Sequence, residues 1–334
     1  MDFPYNRAES VLSATDNDCH DMLGMIEEKL FQNFRSDGVE PFVNLLALIQ
    51  ELQDVGITLS DPRLKEFNEK VQEFQDEQLN TETASSDVTR EVFHHLIKDN
   101  IELINKAISK SLVIPDFKKF CSEIKEIFHN IKSMKGGKNA NYIPQLGRVD
   151  PKKWGISICT VDGQRWSCGD SKHPYTMQST SKPFLYAMAL SEYGAEKVHN
   201  HVGREPSGGI FNNISLDRES RPHNPMVNAG AIMTTSLIHP EMNVGDRFDW
   251  IETNMKKLAG EEYLSFNNSV FLSERESADR NFALAYFMRE HGCYPKESYN
   301  NFKSSLELYF QQCSIEVNTE SHAVMAATLA NGGV

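Results

Sequence analysis

The chain leaves its helical hydrophobic period after about residue 133, and that change limits its fold more than any other feature. Up to about residue 133, apolar side chains recur every three to four positions. Met22-Leu23-Met25-Ile26-Leu30-Phe31 does so, and so does Phe42-Leu45-Leu46-Leu48-Ile49-Leu52. That spacing lines one face of a helix and cannot line one face of a strand. Asp61-Pro62 marks a further helix start, with Leu64, Phe67, Val71 and Phe74 on one side. Residues 88–107 and 116–132 continue the pattern, with Pro115 at an N-terminal turn and a polar loop over 80–87. A small helical bundle over residues 18–134 follows from this pattern. Lys135-Gly136-Gly137-Lys138-Asn139 then reads as a linker. It is no phosphate loop, because no strand precedes it and its glycine and Lys-Ser/Thr spacing is wrong. Beyond it, Gly155-Ile156-Ser157-Ile158-Cys159-Thr160-Val161 alternates with period two, Asp162-Gly163 supplies a hairpin turn, and 165–168 returns. From Met177 onward the pattern is helical again, with long loops. A second domain is expected over residues 139–334, and 334 residues suit two domains.

Composition narrows the partners. The net charge is -13, which argues against general nucleic-acid binding, since neutralising phosphates takes a surplus of Lys and Arg. Docking on an anionic membrane surface is disfavoured for the same reason. No apolar run reaches transmembrane length. Met1-Asp2-Phe3-Pro4 opens neither a signal peptide nor an Arg-rich presequence. The expectation is a cytosolic protein, or one whose targeting segment lies outside this chain. Six cysteines, Cys19, Cys121, Cys159, Cys168, Cys293 and Cys313, stand singly. Without a Cys-x-x-Cys pair they read as reduced, buried thiols and not as zinc or iron–sulfur ligands. His94 and His95 are adjacent, point apart on a helix, and read as structural. Short helix pairs around loops such as Arg35-Ser36-Asp37-Gly38 are EF-hand-like, but no loop supplies the alternating oxygen ligands that calcium needs. No metal site and no cofactor is expected.

The chemistry-bearing motif is Ser179-Thr180-Ser181-Lys182. Ser179 and Lys182 are three apart, so on a helix they share a face, and the amine can take the hydroxyl proton. Pro183 excludes the carbonyl four residues back, so the helix interior starts after Ser179. Ser179 then sits where free N–H groups and the positive dipole end can stabilise an oxyanion. Gly194 is expected to end that helix. Taken alone, Ser-x-x-Lys is more often a capping serine with a solvated lysine. The order strand, hairpin, strand, helix favours a serine hydrolase of the β-lactamase and penicillin-binding type. A lysine base must also be neutral part of the time, through burial or a neighbouring charge.

Longer stretches carry a more specific resemblance. They are Asn141-Tyr142-Ile143-Pro144-Gln145-Leu146, Thr160-Val161-Asp162-Gly163-Gln164-Arg165 and Gln178-Ser179-Thr180-Ser181-Lys182-Pro183. Also matching are Pro222-His223-Asn224-Pro225-Met226-Val227-Asn228-Ala229-Gly230-Ala231-Ile232, Ser273-Glu274-Arg275-Glu276-Ser277-Ala278-Asp279-Arg280-Asn281, and Tyr309-Phe310 before Cys313-Ser314-Ile315-Glu316. In these the chain resembles the animal phosphate-activated glutaminases of the kidney and liver type, from about residue 20 to its end. The resemblance implies an α+β fold, with an EF-hand-like helical bundle followed by an incomplete β-lactamase-like domain. It implies hydrolysis of the side-chain amide of L-glutamine to L-glutamate and ammonia. Ser179 matches the nucleophile and Lys182 its base. Tyr142, Gln178, Asn228, Glu274, Asn281 and Tyr309 match substrate-holding positions. Glu274 suits the substrate ammonium, the two asparagines its carboxylate or amide, and either tyrosine a proton relay to departing ammonia. Without the resemblance, Glu274 would read as a solvated helix start, Asn228 as a loop or cap residue, and Tyr309 as core.

Residues 207–216 match the family's mobile segment beside the site, near the tetramer contact and linked to phosphate activation. Phe211, Ile214 and Leu216 are its docking side chains. Gly209-Ile210 replaces the Leu-Arg common in vertebrates, and Ser215 stands where the kidney form has phenylalanine. Carried-over phosphate response and inhibitor sensitivity therefore stay open. The resemblance also implies mitochondrial location and a homo-oligomer. It further implies that the family's domain continues past Asn331-Gly332-Gly333-Val334 with more strands, another active-site tyrosine, a second oxyanion N–H and then ankyrin repeats. Two alternatives stand beside an active glutaminase. One is a shortened, non-catalytic form that joins full-length subunits. The other is a β-lactamase-like hydrolase of another substrate.

Overall fold

The computed structural model describes residues 16–36, 42–80, 87–134 and 136–333. The chain divides into two compact units. One takes residues up to Glu126 together with Asp162–Arg165. The other takes Ile127–Val161 and everything from Trp166.

The first unit is helical, as its period requires. It contains α1 (Asp16–Asn33), α2 (Leu45–Asp54), α3 (Lys65–Asn80), α4 (Arg90–Ile97), α5 (Ile101–Ile108) and most of α6 (Phe117–Lys132). Leu30, Leu48, Leu52, Leu64, Phe67, Phe93, Ile97 and Ile104 form one continuous core. The start at Asp61-Pro62 is a single 3₁₀ turn, Pro62–Leu64, capped by the Asp61 carboxylate on the Arg63 N–H. The helix expected over 88–107 breaks in two at residues 98–100, and Asn100 is the reason. Its buried side chain accepts from the Phe67 N–H at 2.8 Å and donates to the Arg63 carbonyl at 2.7 Å, so it serves the start of α3 and not its own helix. Two short strands, β1 (Val43–Asn44) and β2 (Asp87–Val88), pair antiparallel. Two residues each are too few to show a period. The Asp37-Gly38 portion of the first loop and most of the 80–87 loop lie outside the described residues, so the calcium expectation cannot be placed there. The hairpin tip completes this unit. Buried Gln164 donates to the Val55 and Ile114 carbonyls and accepts from the Ile114 N–H.

The second unit begins, after α7 (Pro144–Gly147), with the expected hairpin of β3 (Gly155–Cys159) and β4 (Arg165–Gly169). A three-stranded antiparallel sheet was not legible in the sequence. Its order is β5 (Tyr175–Thr176), β7 (Ile315–Val317), β6 (Leu264–Phe266). Around the two sheets lie α8 (Ser181–His199), α9 (Asn228–Leu237), α10 (Val244–Leu258), α11 (Asn268–Glu276), α12 (Asp279–Glu290), α13 (Lys296–Tyr299), α14 (Phe302–Cys313) and α15 (Thr319–Ala330). All ten residues of α9 are buried. Its Gly230 is obligatory, because a Cβ there would lie 1.8 Å from the Asn224 carbonyl oxygen. Gly194 does not end α8 but kinks it, at φ 76 and ψ 158, and a last helical stretch runs on to His199.

Candidate active site

A 3₁₀ turn, Gln178–Thr180, leads into α8. Its first residue, Gln178, has φ 50, a left-handed conformation uncommon for any residue but glycine. Thr180 and Ser181 tighten the turn by donating their hydroxyls to the Met177 and Gln178 carbonyls. The turn leaves Ser179 exposed. One helical turn on, Lys182 is only 4% exposed, and its Nζ lies 2.7 Å from Ser179 Oγ. Burial holds the Lys182 amine below the ordinary lysine range. Cys313 and Glu274 pull the other way.

Three elements converge on that amine. Asn228, the first residue of α9, accepts from Lys182 Nζ through Oδ1 at 3.0 Å and donates through Nδ2 to Asn281 Oδ1 of α12 at 3.1 Å. Tyr309 of α14 donates its hydroxyl to the same Asn228 oxygen at 3.4 Å and presents its ring face 6.0 Å from Lys182 Nζ. Burial also holds the Tyr309 hydroxyl strongly protonated. A second group lies beside these. The Tyr142 hydroxyl is 2.8 Å from both Glu274 Oε1 and Gln178 Oε1, and its single hydrogen serves one of them at a time. Gln178 is steadied by donating to Thr176 Oγ1 of β5. Glu274 of α11 is 8% exposed, and burial raises its pKa. Tyr142, Gln178 and Lys182 hold it down.

So Ser179, Lys182, Asn228, Asn281 and Tyr309 form one bonded chain. Tyr142, Gln178 and Glu274 form another, linked to the first by the Lys182–Glu274 attraction. Tyr309 is also core, as its pattern suggested. Glu274 and Lys182 are not solvated, which neither one's neighbours in sequence could reveal. The loop residues stand apart. Phe211 is 62% exposed and reaches the site only through its carbonyl, which accepts from the Asn228 N–H at 2.9 Å. Ile214 is exposed, and Leu216 packs on the core beneath. Cys313 was missed. It is fully buried, bonds to the Tyr309 hydroxyl, and its thiol is pushed up to about 12. Its place four residues after Tyr309, on the same helix face, was the available signal. Among the described residues the cysteines are free, with Cys121, Cys293 and Cys313 buried and Cys159 and Cys168 half-buried. The Cys19 side chain lies outside the described set.

The site thus sets a buried amine against an exposed hydroxyl at a helix start. A glutaminase family model matches residues 137–334, and an EF-hand domain model matches residues 26–115. The chain belongs to the glutaminase family. It is 45% identical over 313 residues to a protein of Caenorhabditis elegans named putative glutaminase 2, covering 92% of this chain and 51% of that one. It is 45% identical over 283 residues to the mitochondrial liver isoform of glutaminase from Rattus norvegicus, covering 85% of this chain and 46% of that one. Among solved structures, a probable glutaminase, YbaS, superposes with a TM-score of 0.59 at 36% identity, over 63% of this chain and 67% of that one. Mglu in its glutamate form superposes with a TM-score of 0.58 at 36% identity, over 63% of this chain and 47% of that one. The chain thus spans about half the length of the curated relatives it matches.

Proposed function

We propose that this chain carries the catalytic site of a glutaminase, which hydrolyses the side-chain amide of L-glutamine to L-glutamate and ammonia. The observation that carries the proposal is the buried Lys182 amine 2.7 Å from Ser179 Oγ, with its pKa lowered by burial. A neutral lysine accepts the hydroxyl proton as Oγ attacks the amide carbon. The oxyanion forms at the start of α8, where N–H groups and the dipole favour it. The C–N bond then breaks, ammonia leaves with the proton, and an ester remains on Ser179. Water attacks that ester with Lys182 again as base, and glutamate departs. Asn228 holds the amine in place through its Oδ1. Glu274, flanked by Tyr142 and Gln178, pairs with the substrate ammonium. Asn281 and Tyr309 complete the polar wall. Mglu, in its glutamate form, supports an amino-acid ligand of this size and charge.

The compartment proposed is the mitochondrion, after the names of the rat and mouse relatives. The assembly proposed is a homo-oligomer, with phosphate as activator acting through the 207–216 segment, where Phe211 meets the Asn228 N–H. The decisive experiment is ammonia release from L-glutamine by the wild-type chain and by Ser179→Ala. Loss of turnover in the variant is expected, and equal turnover would end the proposal. If this chain is inactive while one extended to its relatives' length is active and dies with Ser179→Ala, the site is right but works only in the longer form. A stable β-lactam ester on Ser179 without glutamine turnover would instead assign another substrate.

A further inference from the structure

We infer that Arg247 is a positioning residue, which locks the helix carrying Asn228 to the helix carrying Tyr309 from a point remote from the reaction. Arg247, on α10, is 2% exposed. In its sequence context, Asp246-Arg247-Phe248, it looks like an ordinary surface charge. Burial disfavours its charge, and Tyr193 and Glu241 offset this only by longer-range attraction, with no ion pair to it among the described residues. Its bonds go elsewhere. Nε donates to the Ile238 carbonyl at 2.8 Å, Nη2 to the Thr235 carbonyl at 2.9 Å, and Nη1 reaches Ser305 Oγ at 3.5 Å.

Thr235 and Ile238 close the C-terminal end of α9, where the dipole is negative and carbonyls have acceptor capacity to spare, the Thr235 carbonyl keeping one bond from the Ile238 N–H at 3.2 Å. With the whole helix buried, water cannot serve them, so the guanidinium fork does. Ser298 Oγ takes the Ser236 carbonyl between them, at 2.5 Å. Ser305 lies in the first turn of α14, one turn before Tyr309. Thr235 Oγ1 adds a bond to Gln312 Oε1 of α14 at 3.2 Å.

At its other end α9 begins with Asn228, whose N–H is held only by the carbonyl of exposed Phe211. The backbone at this end leans on one exposed loop, and the Asn228 side chain on the site itself, whereas the Arg247 end is tied to buried groups of α10 and α14. Ten residues make a rod about 15 Å long, and an axial slip at one end is transmitted to the other. Asn228 Oδ1 would leave its 3.0 Å contact with Lys182, and its already long 3.4 Å contact with Tyr309 would go with it. Lysine in place of Arg247 keeps the charge but lacks the fork that meets two carbonyls at once.

This inference rests on the proposed roles of Ser179 and Lys182, and its test separates the two. Arg247→Lys, Arg247→Met and Ile251→Val are compared with wild type. Ile251 is a buried α10 residue that serves as a stability control. Thermal unfolding, glutamine turnover and the titration of Lys182, followed by NMR in lysine-labelled protein, are measured on each. The groups facing Lys182 are Ser179, Glu274, Cys313, Tyr309 and Asn228, none of them altered by these variants. Folded Arg247→Met should lower the Lys182 pKa by about one unit, the worth of one lost charge-assisted hydrogen bond. It should also cut turnover by roughly 10- to 100-fold, as for a reacting group's partner displaced by about 1 Å. Arg247→Lys should fall between, and Ile251→Val should leave the titration unmoved. A folded Arg247→Met or Arg247→Lys whose Lys182 titrates as in wild type overturns the inference. So does failure of both variants to fold, since Arg247 would then serve the core alone. Should the wild-type chain not turn over glutamine, the Lys182 titration still decides the positioning role while the catalytic proposal falls by itself.

Discussion

Burial disfavours the charged forms of Lys182 and Glu274, and each shift has a predictable pH signature. Lys182 is held below the lysine range, so its neutral, proton-accepting form is populated at lower pH than in a free lysine. Glu274 is held above the carboxylate range, so its ammonium-pairing form is lost as pH falls through that raised value. Both effects make kcat/KM climb as pH rises, the Glu274 limb lying above the ordinary carboxylate range and the Lys182 limb below the ordinary lysine range. Glu274→Gln should raise KM and flatten the acid limb, while the Lys182 limb persists in kcat. A pH profile with an unchanged acid limb would count against the Glu274 role. Stability moves in a defined direction too. The folded chain binds fewer protons at Lys182 than the unfolded chain does, so stability drops as pH falls below the ordinary lysine pKa toward the lowered one. Lys182→Met removes a buried amine and should abolish turnover while raising Tm by about 2–4 °C, equivalent to about 1 kcal/mol in a unit of this size. Differential scanning calorimetry at neutral pH reads that rise.

Two glycines separate backbone strain from packing within the helices. Gly194 bends α8 with a conformation open only to glycine, yet nothing lies within 4 Å of where its Cβ would be. Gly194→Ala should therefore cost only the strain, about 1–3 kcal/mol. Gly230→Ala meets the Asn224 backbone and has no such freedom. It should cost about 3 kcal/mol or more and displace Asn228 two residues away, so activity falls further than stability alone explains. Equal Tm and turnover in Gly230→Ala and wild type would refute that. In the first unit, Asn100→Ala takes from the Phe67 N–H its buried acceptor, at about 1–3 kcal/mol. Urea unfolding monitored by circular dichroism measures that loss, with no effect expected on the titration of Lys182. The helix break at Asn100 escaped the pattern because periodicity reports which face is buried, not which side chain caps a neighbour. The β5-β7-β6 sheet escaped it because its strands are two and three residues long.

Across the whole chain, a formal charge of -13 predicts firm retention on an anion exchanger and none on heparin at physiological salt. Heparin binding that salt then weakens would contradict it. No described helix is long and apolar enough to cross a membrane. The match of two family models to separate stretches follows the loss of helical period after about residue 133. The hairpin tip, however, packs with the helical unit through Gln164. Period shows where strands begin, but it cannot show which core a turn residue will fill.

The sequence by itself determined the local structure around Ser179. Pro183 confines the helix start, and a three-residue spacing puts Lys182 beneath the hydroxyl, since both depend only on backbone geometry. It also determined the family, because several long motifs agree. The tertiary structure alone decided that Lys182 and Glu274 are buried, and therefore which way their pKa values move. It alone brought Asn228, Asn281 and Tyr309, from three separate helices, onto one amine, and turned Arg247 from a surface charge into an internal brace. Desolvation and distance between segments remote in the chain set these properties, and neither is encoded in any local spacing.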